Sequence, residues 1–341
     1  MTNSIAIATM IGQNQGNRLQ NYALQKVLSD VTGCNVETLR VHYGTPRTKQ
    51  LIKNFLSPFM PSKRWARFSD FDNKYICYSK SSINDSTLDA EGYSLFFIGS
   101  DQVWNPTFGF TSDAEYLPQI KKEKKCAYAA SFGVSEIIEN REHTASLLSQ
   151  IDKISVREDA AADIVEGLIG ERPLVVLDPT MLLEPKDWSA IASKPKIDIP
   201  SEGYILKYVL GQNVPDEKAL NAAGILNCKI IDLQDRNLPV GPSEFVWLIA
   251  HAKFVCTDSF HASVFSTLFH VSFAIFERIS ANKDMSSRFD TFCKTFGLED
   301  RRIRDNVNLH ATINWKNVDD KLEHAKLTSL KFLDDCVAEN I

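Results

Sequence analysis

The stretch FVCTDSFHASVFSTLF, residues 254–269, carries an apolar run into a polar interruption and out again into apolar periodicity. Its first part reads as a short buried strand, and its second part, with apolar residues at three- and four-residue spacing, reads as a helix. Thr257, Asp258, Ser259 and His261 occupy the junction. Serine and aspartate there are good helix N-caps, worth about 1 kcal/mol each. Capping does not call for a histidine. The handover from strand to helix is the repeating unit of an α/β protein with a parallel sheet.

Outward from that junction the same handover recurs. "SIAIATM" runs into "IGQNQGNR", "SLFFIG" into "SDQVWNP", "KKCAYAA" into "SFG", and "KISV" into "RED". In open parallel sheets ligands bind outside the carboxyl ends of the strands. Five polar strand ends therefore predict one site lined from several loops. Further strands are expected at "PLVVLD", "GYILKYVL", "KIIDL" and "VSFAIF", with helices at "RLQNYALQKVLSD", "TASLLSQI", "AAADIVEGLIG" and "PSEFVWLIAHA".

A chain of 341 residues is long for one core and predicts two domains. The boundary falls at Asp178-Pro179, giving an N-terminal domain over 1–178 and a C-terminal domain over 179–313. A charged helical tail over 314–341 is a candidate to pack back on the first domain. With 38 basic and 43 acidic residues the net charge is −5, which speaks against a nucleic-acid binder. No apolar run reaches the ~20 residues of a membrane span, and the N-terminus lacks the basic region of a signal peptide. Seven scattered cysteines with no zinc spacing predict core thiols in a reducing cytoplasm, and no metal site. The segment 45–80 interleaves basic and aromatic residues. Burial of its aromatics against the body is the favoured reading; contact with an anionic membrane surface is the other.

Laid side by side, "NQGNRLQNYALQKVL", "FFIGSDQVWNP", "AYAASFG", "SVREDAAADIV", "VLDPTMLL", "TDSFHAS" and "SSRFDTFCKTFGLEDR" resemble the polysaccharide pyruvyl transferase family. The resemblance implies two Rossmann-like domains facing a cleft, similar to B-type glycosyltransferases. It implies transfer of pyruvate from phosphoenolpyruvate, as donor substrate with no further cofactor, to a sugar of a cell-surface polysaccharide such as a capsule or exopolysaccharide. The expected acceptor is a hexose carrying a 4,6-diol, with galactose as the first candidate, presented as a lipid-linked oligosaccharide at the inner membrane face.

The resemblance carries Arg157 and His261 over as donor-holding and catalytic residues. Better-described members have Arg-Leu-His where Ser259-Phe260-His261 stands here, so one donor arginine is displaced; Arg288 in "SSRFD" is the candidate substitute. The helix start at "DSFHAS" suits an anion through its free amides and dipole, placing Asp258, Ser259 and Phe260 beside the donor. The acceptor side is expected at Asn14, Asn17, Arg18, Gln20, Ser100, Asp101, Gln102, Trp104, Asn105, Ser131 and Phe132. For Arg157 a surface ion pair is the competing reading; for Asp101, Gln102 and Trp104 it is a capping turn with an aromatic plug. A nucleotide-sugar glycosyltransferase of the same fold and a catalytically silent sugar-binding subunit are the alternative functions. The loop before the first helix has neither dinucleotide-binding nor Walker spacing.

Overall fold

The computed structural model describes residues 4–12, 14–41, 63–83, 92–108, 113–211, 224, 226–235, 237–277, 287–303 and 312–338. Two compact units account for them. The first gathers residues within Met1–Met60, Asp72–Leu182 and His324–Ile341; the second, those within Pro61–Phe71 and Leu183–Glu323.

In the first unit seven strands form one sheet: β1 (Ser4–Ala8), β2 (Asn35–Val41), β3 (Tyr78–Ile83), β4 (Tyr93–Ile98), β5 (Lys125–Ala130), β6 (Lys153–Val156) and β7 (Leu174–Val175). Their order is β3-β2-β1-β4-β5-β6-β7, with every pairing parallel. This is the doubly wound order, with its switch point between β1 and β4. Every residue of β5 is buried, as expected for a central parallel strand covered on both faces. The strands β2 (NVETLRV) and β3 (YSKSSI) had no counterpart in the sequence reading, because neither contains a continuous apolar run.

Helix α1 (Gln15–Thr32) follows β1. It starts where the Asn14 side chain accepts the Gly16 N–H at 2.8 Å and stops at Gly33, whose φ of 66° suits a left-handed cap. Helix α2 (Lys63–Tyr75) buries Phe68 and Phe71 and leaves Trp65 44% exposed. The described part of the basic aromatic segment thus turns two of its aromatics inward; residues 45–62 lie outside the described residues. Helices α3 (Arg141–Leu148) and α4 (Asp159–Ile169) complete the layers around β5 and β6.

The second unit has five parallel strands: β8 (Tyr204–Tyr208), β9 (Lys229–Asp232), β10 (Phe254–Thr257), β11 (Phe273–Phe276) and β12 (Arg302–Ile303), in the order β12-β11-β10-β8-β9. Its switch point lies between β8 and β10. Helices α5 (Pro185–Ile191) and α6 (Pro242–Ala250) precede α7 (Phe260–Leu268) and α8 (Ser287–Phe296). All of α7 is buried, yet it carries three hydroxyl residues. Ser263, Ser266 and Thr267 each donate to the carbonyl four residues back, at 3.3, 2.7 and 2.9 Å, so each of the three has a partner within the helix.

The last helix, α9 (Trp315–Val337), continues the chain to the described end. Its residues from His324 onward cluster with the first unit. There Ser329 accepts the Leu177 N–H at 2.9 Å, and Phe332 lies 6.3 Å from the Tyr128 ring. No described helix is long and apolar enough to cross a membrane.

Candidate functional site

The polar strand ends divide between the units: the loops after β1, β4, β5 and β6 belong to the first, and the loop after β10 to the second.

In the first unit the nominated residues are brought together, but facing one another. At the switch point Gln20 donates to Thr9 Oγ1 at 2.9 Å and accepts the Ser100 N–H at 3.1 Å, while Thr9 Oγ1 donates to Ser100 O at 3.0 Å. Asn17 donates to Asp101, which stands at a φ of 73°. Arg18 clamps Asp72 with two parallel bonds of 3.0 Å and reaches the Gly12 carbonyl. The crevice between the loops after β1 and β4 is therefore occupied by side chains that fix the backbone.

Arg157 lies inside a cluster of carboxylates. Its side chain is 1% exposed, with Nη1 on Asp178 Oδ2 at 2.6 Å and Nη2 on Asp101 Oδ1 at 3.0 Å. Burial works against the charged guanidinium, but Asp101, Asp178 and Glu158 outweigh it and hold its pKa above the usual arginine value. Both forks of the guanidinium serve carboxylates of the first unit. The surface-pair reading fails, since the cluster is buried. Asp178 and Glu158, which the sequence reading did not nominate as site residues, complete it: Asp178 also caps Thr180, and Glu158 accepts from Ser131 at 2.6 Å. The signal available for Asp178 was the Asp-Pro-Thr turn, where an aspartate precedes a proline at the start of a helical turn.

Trp104 is an aromatic plug and not an exposed sugar platform. It is 4% exposed, stacks on Tyr116 at 5.5 Å with an interplanar angle of 9°, and tilts against the fully buried Phe132 at 5.2 Å. Gln102 accepts from Asn105 at 2.6 Å, and both crowd Gly133. With a φ of 63° and only 2.1 Å between a notional Cβ and Gln102 Oε1, position 133 requires glycine. Of the acceptor candidates, Asn14 and Asn105 are half-buried, and the remaining nine are buried.

The second unit presents a different arrangement at its own switch point. Thr257 Oγ1 donates to Tyr208 O at 2.5 Å and accepts the Ser259 N–H at 2.9 Å, joining the ends of β8 and β10. The Asp258 carboxylate accepts the N–H groups of Leu210 and Gly211 at 2.6 and 2.7 Å, fixing the loop after β8. Ser259 is the N-cap of α7 by position, but its side chain makes no capping bond. His261 sits in the first turn of that helix, where the backbone N–H groups have no intrahelical acceptor.

Arg288, in the first turn of α8, places its guanidinium carbon 5.8 Å from the centroid of the Phe260 ring. Phe260 also meets the His261 ring edge-on at 5.5 Å and packs on Phe292 at 5.7 Å. One aromatic ring therefore touches both the histidine and the arginine. Arg288 and His261 are 7% and 5% exposed, so a charge beside them is felt more strongly than in water. Among the described residues, no group of three or more His, Cys, Asp or Glu side chains is arranged to hold a metal ion.

The family model for polysaccharide pyruvyl transferase matches residues 14–280, most of the chain. The chain belongs to that family. A search of curated proteins gave no match. Among solved structures, the fold is similar to a protein assigned as a UDP-N-acetylglucosamine 2-epimerase from Listeria monocytogenes, at 10% identity over 98% of this chain and 91% of that one, with a TM-score of 0.53. The UDP-GlcNAc 2-epimerase from Methanocaldococcus jannaschii is 12% identical over 94% and 92% of the two chains, with a TM-score of 0.47. The α/β architecture is thereby shared with the Listeria protein. In this family member Arg288 and His261 both lie beside the Phe260 ring.

Proposed function

We propose that this pyruvyl transferase moves pyruvate from phosphoenolpyruvate to a hexose of a cell-surface polysaccharide, or of its lipid-linked precursor, as a cyclic ketal. The observation that carries the reading is the start of α7, where His261 stands beside Phe260 in the first turn and Arg288 lies over the same ring.

The donor carries a phosphate and a carboxylate. Helix amides and a guanidinium are the groups that suit such anions. In the proposed reaction His261, as imidazolium, gives a proton to C3 of the enol, and C2 becomes electrophilic. One sugar hydroxyl adds to C2 and returns a proton to the imidazole. The second hydroxyl then displaces phosphate, its proton leaving with the phosphate, and the ring closes. General acid catalysis of this kind contributes ~10²–10⁴-fold. Asp258 acts at one remove by holding the loop after β8, and Arg157 acts by holding the strand-end loops of the first unit.

The test is turnover of phosphoenolpyruvate with a hexose bearing a 4,6-diol, galactose first, read as phosphate release and as an acceptor mass gain of one pyruvate less one water. His261→Gln is expected to lower turnover at least ~100-fold while leaving the thermal midpoint within a degree or two. Wild-type turnover in the folded variant would remove His261 from the mechanism.

A further inference from the structure

Cys126 and Cys336 are far apart in the chain and both fully buried as free thiols. Three contacts bring them together. Cys126 and Tyr128 point to the same face of β5, because strand residues alternate. Phe332 and Cys336 share one face of α9, being four residues apart. Tyr128 meets Phe332 at 6.3 Å, which sets the two cysteines as the next rung. Lys153, the register neighbour of Cys126 on β6, donates to the Asp335 carbonyl at 2.5 Å, immediately before Cys336. Cys126 is also the group that weighs most on the Cys336 thiol.

We infer that Cys126 and Cys336 form a reversible disulfide that fastens the end of α9 to the first unit when a small disulfide oxidant is present. Cys336 is the residue before the last of its helix, and terminal turns open at low cost. Once that turn opens, the Cys336 thiolate attacks one sulfur of the oxidant, and the other sulfur departs as a thiolate. The Cys126 thiolate then attacks the mixed disulfide at the Cys336 sulfur and releases the second thiolate. Two protein thiols lose two electrons and two protons; the oxidant becomes two thiols. The neighbouring Lys153 ammonium favours the thiolate, whereas the closed site opposes it: Cys126 and burial push the Cys336 thiol up. The pair is therefore slow to react while the helix end is closed. Cys293 and Cys256, equally buried, have no cysteine partner of this kind among the described residues.

The experiment is incubation of the full chain with oxidised glutathione, followed by intact mass, peptide mapping without reduction, and thermal unfolding. Cys77 is exposed, so its glutathione adduct reports that the reagent has acted. The expected result is loss of two hydrogens, a linked Cys126–Cys336 peptide, and a rise of several degrees in the thermal midpoint that dithiothreitol reverses. Cys336→Ser and Cys126→Ser should each keep the Cys77 adduct and lose the rise. A Cys77 adduct with Cys126 and Cys336 still reduced, a stable glutathione adduct on Cys336, or the same rise in Cys336→Ser would overturn the inference.

Discussion

Arg157 shows how one residue type can satisfy two opposed readings until its neighbours are known. An arginine at the end of a strand fits an anion fork, and it fits a structural ion cluster equally well. The deciding residues are Asp101 and Asp178, 56 and 21 positions away. Removing one member of a buried charged cluster leaves the others uncompensated, at a cost of about 3–5 kcal/mol. Arg157→Met should therefore lower stability by that order, measured by denaturant unfolding, and lower turnover only through fold. A stable variant with a selective loss of donor affinity would return Arg157 to the donor site. His261 and Arg288 stood differently: their types and the helix start were visible in the chain, but not the Phe260 ring that joins them.

At the scale of elements, the strand-to-helix handovers were legible because apolar runs and helical spacing are local properties. The runs behind β1, β4, β5, β6, β8, β9, β10 and β11 all appear as strands. What was not legible was the direction of the polar residues that end them. Asn17, Gln20 and Ser100 turn to one another because sheet order sets β1 beside β4, a non-local fact. Burial within elements also sets a pH response. Desolvation pushes Cys256, on β10, and Cys293, on α8, up to about 12 from 9.0. Between those values the folded state keeps a proton that the unfolded state has lost, so stability falls as pH rises, by about 1.4 kcal/mol per unit per group. Lys125, lowered to about 8 by burial, acts in the opposite sense between pH 8 and 10.5. Comparison with Cys256→Ala separates the two: the wild-type protein should lose stability relative to the variant from pH 9 upward. Parallel curves for the two proteins would mean that the Cys256 thiol ionises freely in the fold.

At the scale of the whole chain, family membership and the α/β fold agree, and neither one names the donor. The candidate site of the second unit carries a specific claim about it: the helix start with His261 and Arg288 holds phosphoenolpyruvate. The most direct measurement is thermal unfolding of the chain with phosphoenolpyruvate and, separately, with nucleotide sugars. A ligand held by the native state alone adds about 2.7 kcal/mol of stability at a hundredfold excess over its Kd. The account predicts a rise with phosphoenolpyruvate that disappears in Arg288→Ala and persists in Asn105→Ala. A rise with a nucleotide sugar and none with phosphoenolpyruvate would contradict it.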